Sequence, residues 1–250
     1  MLVRSVSGVA LNKEKRGKNN MIRAIMSGCN GKMGRMITEI VKNDENAVIS
    51  AGVDTYTEVP NDYPVFDSLE KCDVDTDVVI DFSNAAAVDE LLDWCAEKKM
   101  PVVLCTTGLS EVQLAKVEET AEKTAVLKSA NMSLGINLLL KLLQNAAKVL
   151  GRAEFDIELV ELHHNQKVDA PSGTALMIAD AAAEVLPYQP DYVYGRQAVR
   201  QPRGKTEIGI SSVRGGGIVG DHEVIFAGRD EVIELRHTAM SRDVFASGAV

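Results

Sequence analysis

The chain has 250 residues, 46% of them hydrophobic, with 36 Asp and Glu against 27 Lys and Arg for a formal net charge of −9. That length accommodates one large or two small domains with a real core, and the acidic balance argues against nonspecific nucleic-acid binding and against an anionic membrane surface. Cys29, Cys72, Cys95 and Cys105 lack CxxC spacing, which suggests neither a zinc site nor a disulfide framework and points to reduced thiols in the cytoplasm.

No apolar run approaches the ~20 residues of a membrane span. Residues 1–20 combine a short mixed segment with a basic polar one and lack an apolar signal-peptide core, so they read as a disordered extension with the fold starting at Met21. Residues 22–26 then form an apolar strand, 28–34 a glycine-rich turn, 33–41 an amphipathic helix and 47–53 a second strand that ends at Asp54. The turn, Gly28-Cys29-Asn30-Gly31-Lys32-Met33-Gly34, has G-x-x-G-x-x-G spacing. Glycines there permit a tight turn, close approach of backbone to a pyrophosphate and close helix–strand packing, and an acidic residue about 20 positions later suits a ribose hydroxyl. Gly28, Cys29, Asn30, Gly31, Lys32, Met33 and Asp54 are therefore the expected dinucleotide contacts.

Alternation continues with a strand at 77–82, a helix at 85–98, a strand at 102–105, a helix at 111–123 and a strand at 125–130, as a doubly wound sheet requires. Trp94 falls at helical spacing with Leu91 and reads as core. Residues 135–150 form a helix with a broad apolar face, expected to bridge two domains.

The stretch 155–162, F-D-I-E-L-V-E-L, alternates as a strand that ends at His163 and His164. Pro171 disfavours helix at Ala170, and Ser172 is a good N-cap, so a helix begins near Gly173 and continues to about residue 186. Orphan N–H groups at Gly173, Thr174 and Ala175, with the positive end of the helix dipole and nearby Lys167, make a site for a carboxylate or phosphate. No metal is expected, because adjacent histidines leave a strand on opposite faces and no cysteine or HExxH spacing accompanies them. Pro187, Pro190 and Pro202 suggest a long loop, followed by strands at 206–213, 222–227 and 232–237. Arg200 and Arg203 read as solvated charges, Arg214 beside three glycines as an additional substrate contact, and His222 and His237 as structural.

The segment Glu158–Ala175 resembles the signature of the dihydrodipicolinate reductases, E-[I/V]-x-E-x-H-x-x-x-K-x-D-x-P-S-G-T-A. It matches at Glu158, Glu161, His163, Lys167, Asp169, Pro171, Ser172, Gly173, Thr174 and Ala175, with Leu159 in place of Ile or Val. The cofactor loop is similar to the family's G-x-x-G-R-M-G, Lys32 replacing Arg. The resemblance implies NAD(P)H-dependent reduction of a cyclic dicarboxylate to tetrahydrodipicolinate in lysine synthesis. It places Cys105, Thr106 and Thr107, and Ser129, Ala130, Asn131 and Met132, beside the nicotinamide, although the family usually has Gly where Cys105 stands.

The expected fold class is thus α/β: a Rossmann-like doubly wound domain from 21–131 and 241–250, plus an α+β domain with an open mixed sheet from 132–240 for substrate binding and tetramerisation. His163 and Lys167 are the expected catalytic residues, either able to deliver the proton, and His164, Gly173 and Thr174 the substrate contacts. Asp54, followed by Thr55-Tyr56-Thr57 without the arginine common in the family, favours NADH over NADPH. The resemblance further implies a homotetramer. Relatives continue beyond the point corresponding to Val250, which leaves an NAD(P)-binding sensor or inactive paralogue as the alternative reading.

Overall fold

The computed structural model describes residues 2–4, 21–197 and 200–250, and the chain forms two compact units, one of residues 1–132 with 245–250 and one of residues 133–244.

In the first unit, β1 (Leu2–Arg4), β2 (Ile22–Ser27), β3 (Ala47–Val53), β4 (Val65–Phe66), β5 (Val78–Asp81), β6 (Val102–Leu104) and β7 (Val126–Lys128) make a sheet of order β1-β7-β6-β5-β2-β3-β4. All neighbours are parallel except β1, which runs antiparallel to β7. Strand alternation separates two cores. Ile25, Ala51 and Val79 face α2 (Val88–Lys98) and α3 (Glu111–Ala121), whereas Ala24, Met26, Ile49 and Ile80 face α1 (Lys32–Lys42) and the end of the chain through Ala246 and Ala249. With helices on both faces this is a Rossmann-like sheet, and its order reverses between β2 and β5, where such folds bind ligands.

In the second unit, β8 (Asp156–His163), β9 (Asp191–Val193), β10 (Glu207–Arg214), β11 (Gly220–Ala227) and β12 (Val232–Ala239) form a mixed sheet of order β12-β11-β8-β10-β9. Its core lies on one face, where Ile157, Leu159, Ile208, Ile210, Val224 and Phe226 meet α4 (Leu134–Leu150) and α5 (Gly173–Ala183). Helix α4 supplies Ile136, Leu139, Leu140, Leu143 and Ala147 at the spacing of one helical face, and Ser133 caps it by accepting the Ile136 N–H at 3.3 Å. Val160 and Leu162 of β8 point to the opposite face with Val213 and Val232, which are 44% and 57% exposed.

Three elements differ from the sequence expectation. Leu2–Arg4, assigned to a disordered extension, pair with Val126–Lys128, because the edge of β7 offers unpaired backbone groups. The rest of that expectation, residues 1 and 5–20, lies outside the described residues. Within the proline-rich loop, β9 adds to the edge of β10 through Tyr192 and Val193. Residues 243–249 form a helix, α6, where only a return of the chain was read.

Phe226 is fully buried in the second core. Phe226→Ala should destabilise the protein by about 3–5 kcal/mol, read as an earlier urea transition by circular dichroism; an unmoved midpoint would contradict this placement of the core.

Candidate active site

Gly28 follows β2 with φ +79°, and its N–H donates to the Val53 carbonyl at 2.8 Å. A Cβ at this position would sit 2.7 Å from the Phe82 carbonyl oxygen, and one at Gly34 only 2.2 Å from that of Gly28, so both glycines are demanded by backbone proximity. Gly31 caps α1 without a side-chain acceptor, leaving the first-turn N–H groups toward an incoming anion. Asp54 accepts the Asn30 N–H at 3.0 Å and the Tyr56 N–H at 3.1 Å, which ties the acidic residue to the glycine turn.

A cleft of about 260 Å³ at the ends of β2, β3 and β5 is lined by Gly28, Gly31, Asp54, Phe82, Ser83 and Asn84 among others. Ser83 Oγ is buried with no hydrogen-bond partner among the described residues. The glycine cradle, the uncapped helix start and this orphan hydroxyl together suit a dinucleotide. The turn at 81–83 carries no sequence motif of its own, so its place after a strand was the only signal for it.

The other expected cofactor residues are less uniform. Cys29 and Cys105 are buried, and burial pushes both thiols up, Cys29 to about 11, so only their backbones can meet a ligand. Met33 packs against the α1 core. Lys32 and Thr107 are exposed. Thr106 donates its hydroxyl to buried Asp81 at 2.6 Å, and Ser129 Oγ accepts the Asn131 N–H at 3.2 Å, shaping the turns after β6 and β7. Ala130 and Met132 complete the second of those turns, with Met132 in the core. Neither turn lines the 260 Å³ cleft.

The second constellation is at the end of β8. Ser172 caps α5 by accepting the Ala175 N–H at 3.1 Å, so the helix begins at Gly173. Lys167 Nζ lies 2.7 Å from Asp169 Oδ1. Burial would raise the Asp169 carboxyl, but Lys167 and backbone donors including Gly173 hold it below the ordinary carboxylate range. The Gly173 backbone N–H is among the groups that hold the Asp169 carboxyl low, which fits anion affinity at this helix start. Thr174 is buried beside it.

His163 ends β8, His164 lies just beyond it, and the two have different partners. His163 is buried, its Nδ1 2.5 Å from Glu161 Oε2, and its ring meets that of His222 edge-on at 5.1 Å between centroids. Burial lowers the His163 pKa from its ordinary value, aided by Lys167 and Arg214 and opposed by Glu161. His164 Nε2 accepts from Arg242 at 3.3 Å, since a guanidinium can only donate.

His222 is structural: it is buried beside Ser172 Oγ at 3.1 Å, and burial pushes it down to about 4. Arg214 departs from the sequence reading. Because it pairs in register with His163, its guanidinium reaches Glu161 with both terminal nitrogens, at 2.9 and 2.7 Å, and also donates to the Asp169 carbonyl. It is committed to a buried carboxylate, not presented to a ligand. Arg203 is likewise ion-paired, to Asp156 and Glu158, and is no free surface charge. Sequence reasoning missed Arg242, whose only cue was a basic residue before the final helix, and the role of Glu161, seen only as a strand residue within a signature.

Among the described residues no cluster of His, Cys, Asp and Glu could hold a metal. Residues 22–132 match the family model described as dihydrodipicolinate reductase, N-terminus, and residues 135–250 match dihydrodipicolinate reductase, C-terminus. The chain is 50% identical over 230 residues to the 4-hydroxy-tetrahydrodipicolinate reductase of Clostridium tetani, covering 92% of this chain and 89% of that one. It is 53% identical to the enzyme of the same name from Caldanaerobacter subterraneus subsp. tengcongensis, covering 92% and 90%. A solved structure of dipicolinate-bound dihydrodipicolinate reductase from Paenisporosarcina sp. TG-14 aligns with TM-score 0.73 at 30% identity over 91% of each chain.

Gly34→Ala should push α1 off the glycine turn. At a cost of about 1–3 kcal/mol, NADH titrated by fluorescence should bind roughly tenfold more weakly or worse. Unchanged affinity would remove the glycine turn from the cofactor site.

Proposed function

The chain belongs to the dihydrodipicolinate reductase family, and on that premise we propose that it reduces the cyclic dicarboxylate dihydrodipicolinate, or its hydrated form, to tetrahydrodipicolinate with NAD(P)H. The observation that carries the proposal is the gathering of Lys167, His163, His164 and the start of α5 at the end of β8, with Arg242 against His164. Reduced nicotinamide, when bound at the glycine turn, supplies the hydride.

The substrate's two carboxylates define what the second unit must do. One exchanges with Asp169 at Gly173 and Thr174, where amide donors and the helix dipole receive it. Lys167 and Arg242 balance the remaining charge and, with His164 held by Arg242, orient the ring. Hydride addition to a ring carbon conjugated with the imine leaves an enamine carbon that needs a proton, which His163 or Lys167 provides.

Asp54 supports NADH as the preferred cofactor. Asp54 lines the cleft, and neither Thr55, Tyr56 nor Thr57 offers a positive charge to a 2′-phosphate. The half-exposed apolar residues Val213 and Val232 on the open face of the second sheet support assembly of four copies through these sheets. No helix among the described residues is long and apolar enough to cross a membrane, and all four cysteines are unpaired; we place the enzyme in the cytoplasm.

In an assay coupled to dihydrodipicolinate synthase and read by NADH absorbance, the protein should turn over. His163→Ala and Lys167→Ala should each lower kcat by about 10²-fold or more with NADH affinity preserved. Near-normal rates in both variants would exclude this site from the chemistry. With the wild type, kcat/KM should favour NADH over NADPH, and Asp54→Ser should narrow the ratio; a ratio that the substitution leaves alone would free Asp54 from that role.

A further inference from the structure

Glu161 is 0% exposed and so cannot touch a substrate, yet its hydrogen bonds all run to the site or to the groups that brace it. Oε1 accepts the Ser172 N–H at 3.1 Å and Arg214 Nη2 at 2.7 Å; Oε2 accepts Arg214 Nη1 at 2.9 Å and faces His163 Nδ1 at 2.5 Å. Ser212 stands in register with Glu161 on β10. Burial alone would raise the Glu161 carboxyl, but Arg214, Ser212 and His163 hold it down to about 2, so it is ionised wherever the enzyme works.

An ionised carboxylate only accepts hydrogen bonds, so His163 Nδ1 must be the donor. A neutral His163 ring then carries its one proton on Nδ1 and keeps a lone pair on Nε2, which makes no hydrogen bond among the described residues. We infer that Glu161, clamped by Arg214, is a positioning residue: it fixes the tautomer of His163, leaving Nε2 to carry the catalytic proton, and through the Ser172 amide it fixes the start of α5. One buried group would thereby set both the proton donor and the anion-binding turn. The inference rests on the reductase reading above, with His163 carrying the proton.

The proton balance follows. Bound substrate brings two negative charges beside His163, and Nε2 takes a proton from solvent to give the imidazolium. Hydride enters the substrate ring, the imidazolium gives its Nε2 proton to the resulting enamine carbon, and the ring returns to its neutral form with Nδ1–H intact. Glu161 stays ionised throughout, stabilising the transient cation without receiving a proton.

The charges facing His163 set the pH dependence: Glu161 on its own strand favours the imidazolium, while Lys167 after β8 and Arg214 on β10 oppose it, His222 on β11 meets the ring edge-on, and Asp169 is paired to Lys167. Since a proton donor must be protonated, kcat/KM should fall as pH rises through an inflection below the usual histidine value. Removing the Glu161 charge should move that inflection lower still.

The test combines imidazole ¹⁵N NMR of the NADH-bound enzyme with pH profiles of the wild type, Glu161→Gln and Glu161→Asp. The wild type should show neutral His163 as the Nδ1–H tautomer. Glu161→Gln should lose that preference, drop kcat by about 10²-fold or more and shift the inflection to lower pH. Glu161→Asp, which keeps the charge, should hold the inflection near the wild-type position. An Nε2–H tautomer in the wild type overturns the inference even if Glu161→Gln does not fold, and so does a folded Glu161→Gln with wild-type kcat and pH profile. Absence of turnover in the wild type would instead sink the reductase reading itself.

Discussion

A single buried carboxylate holds the end of β8 and the start of α5 together. Glu161 receives a two-toothed guanidinium from β10, a backbone N–H from the N-cap of α5 and an imidazole from the end of its own strand. Burying such a charge is unfavourable unless every lone pair is met, and losing one partner of a buried pair costs about 3–5 kcal/mol. The cluster is therefore close to all-or-none. That property ties a strand, a loop and a helix start to one geometry.

Much of this was legible in the sequence because the signals were local. Ser172 caps α5 as its position after Pro171 suggested, and β8 alternates buried and part-buried residues up to His163 as its sequence pattern suggested. The glycine turn likewise announced itself, since Gly28 and Gly34 are excluded from bearing a side chain by neighbours a few residues or one strand away. What the sequence hid depends on register between distant strands. Nothing near Arg214 says that it pairs with His163, so its guanidinium looked available to a ligand when it is in fact spent on Glu161. Arg242 reaches His164 across 78 positions, and no periodicity encodes that. Cys29 and Cys105 were correctly placed in the turns but their side chains point into the core, a distinction that backbone motifs do not carry.

The electrostatics resolve an apparent contradiction in an acidic chain that handles an anion. The formal charge of −9 is a property of the whole surface, whereas Lys167 and the positive start of α5 follow β8 in the chain and Arg242 reaches His164 just past its end. Asp169 already pairs with Lys167 there. In the reading proposed above, a substrate carboxylate replaces that anion instead of entering an uncompensated positive pocket.

Calorimetric titration of the NADH-loaded enzyme with dipicolinate, a planar ring bearing the same two carboxylates, tests that picture most directly. Wild type should bind one molecule per chain, and Lys167→Met should weaken binding at least about tenfold, the loss of one charge-assisted contact. Equal affinity in the two proteins would mean that the dicarboxylate is held elsewhere, and the site at the end of β8 would have to be abandoned.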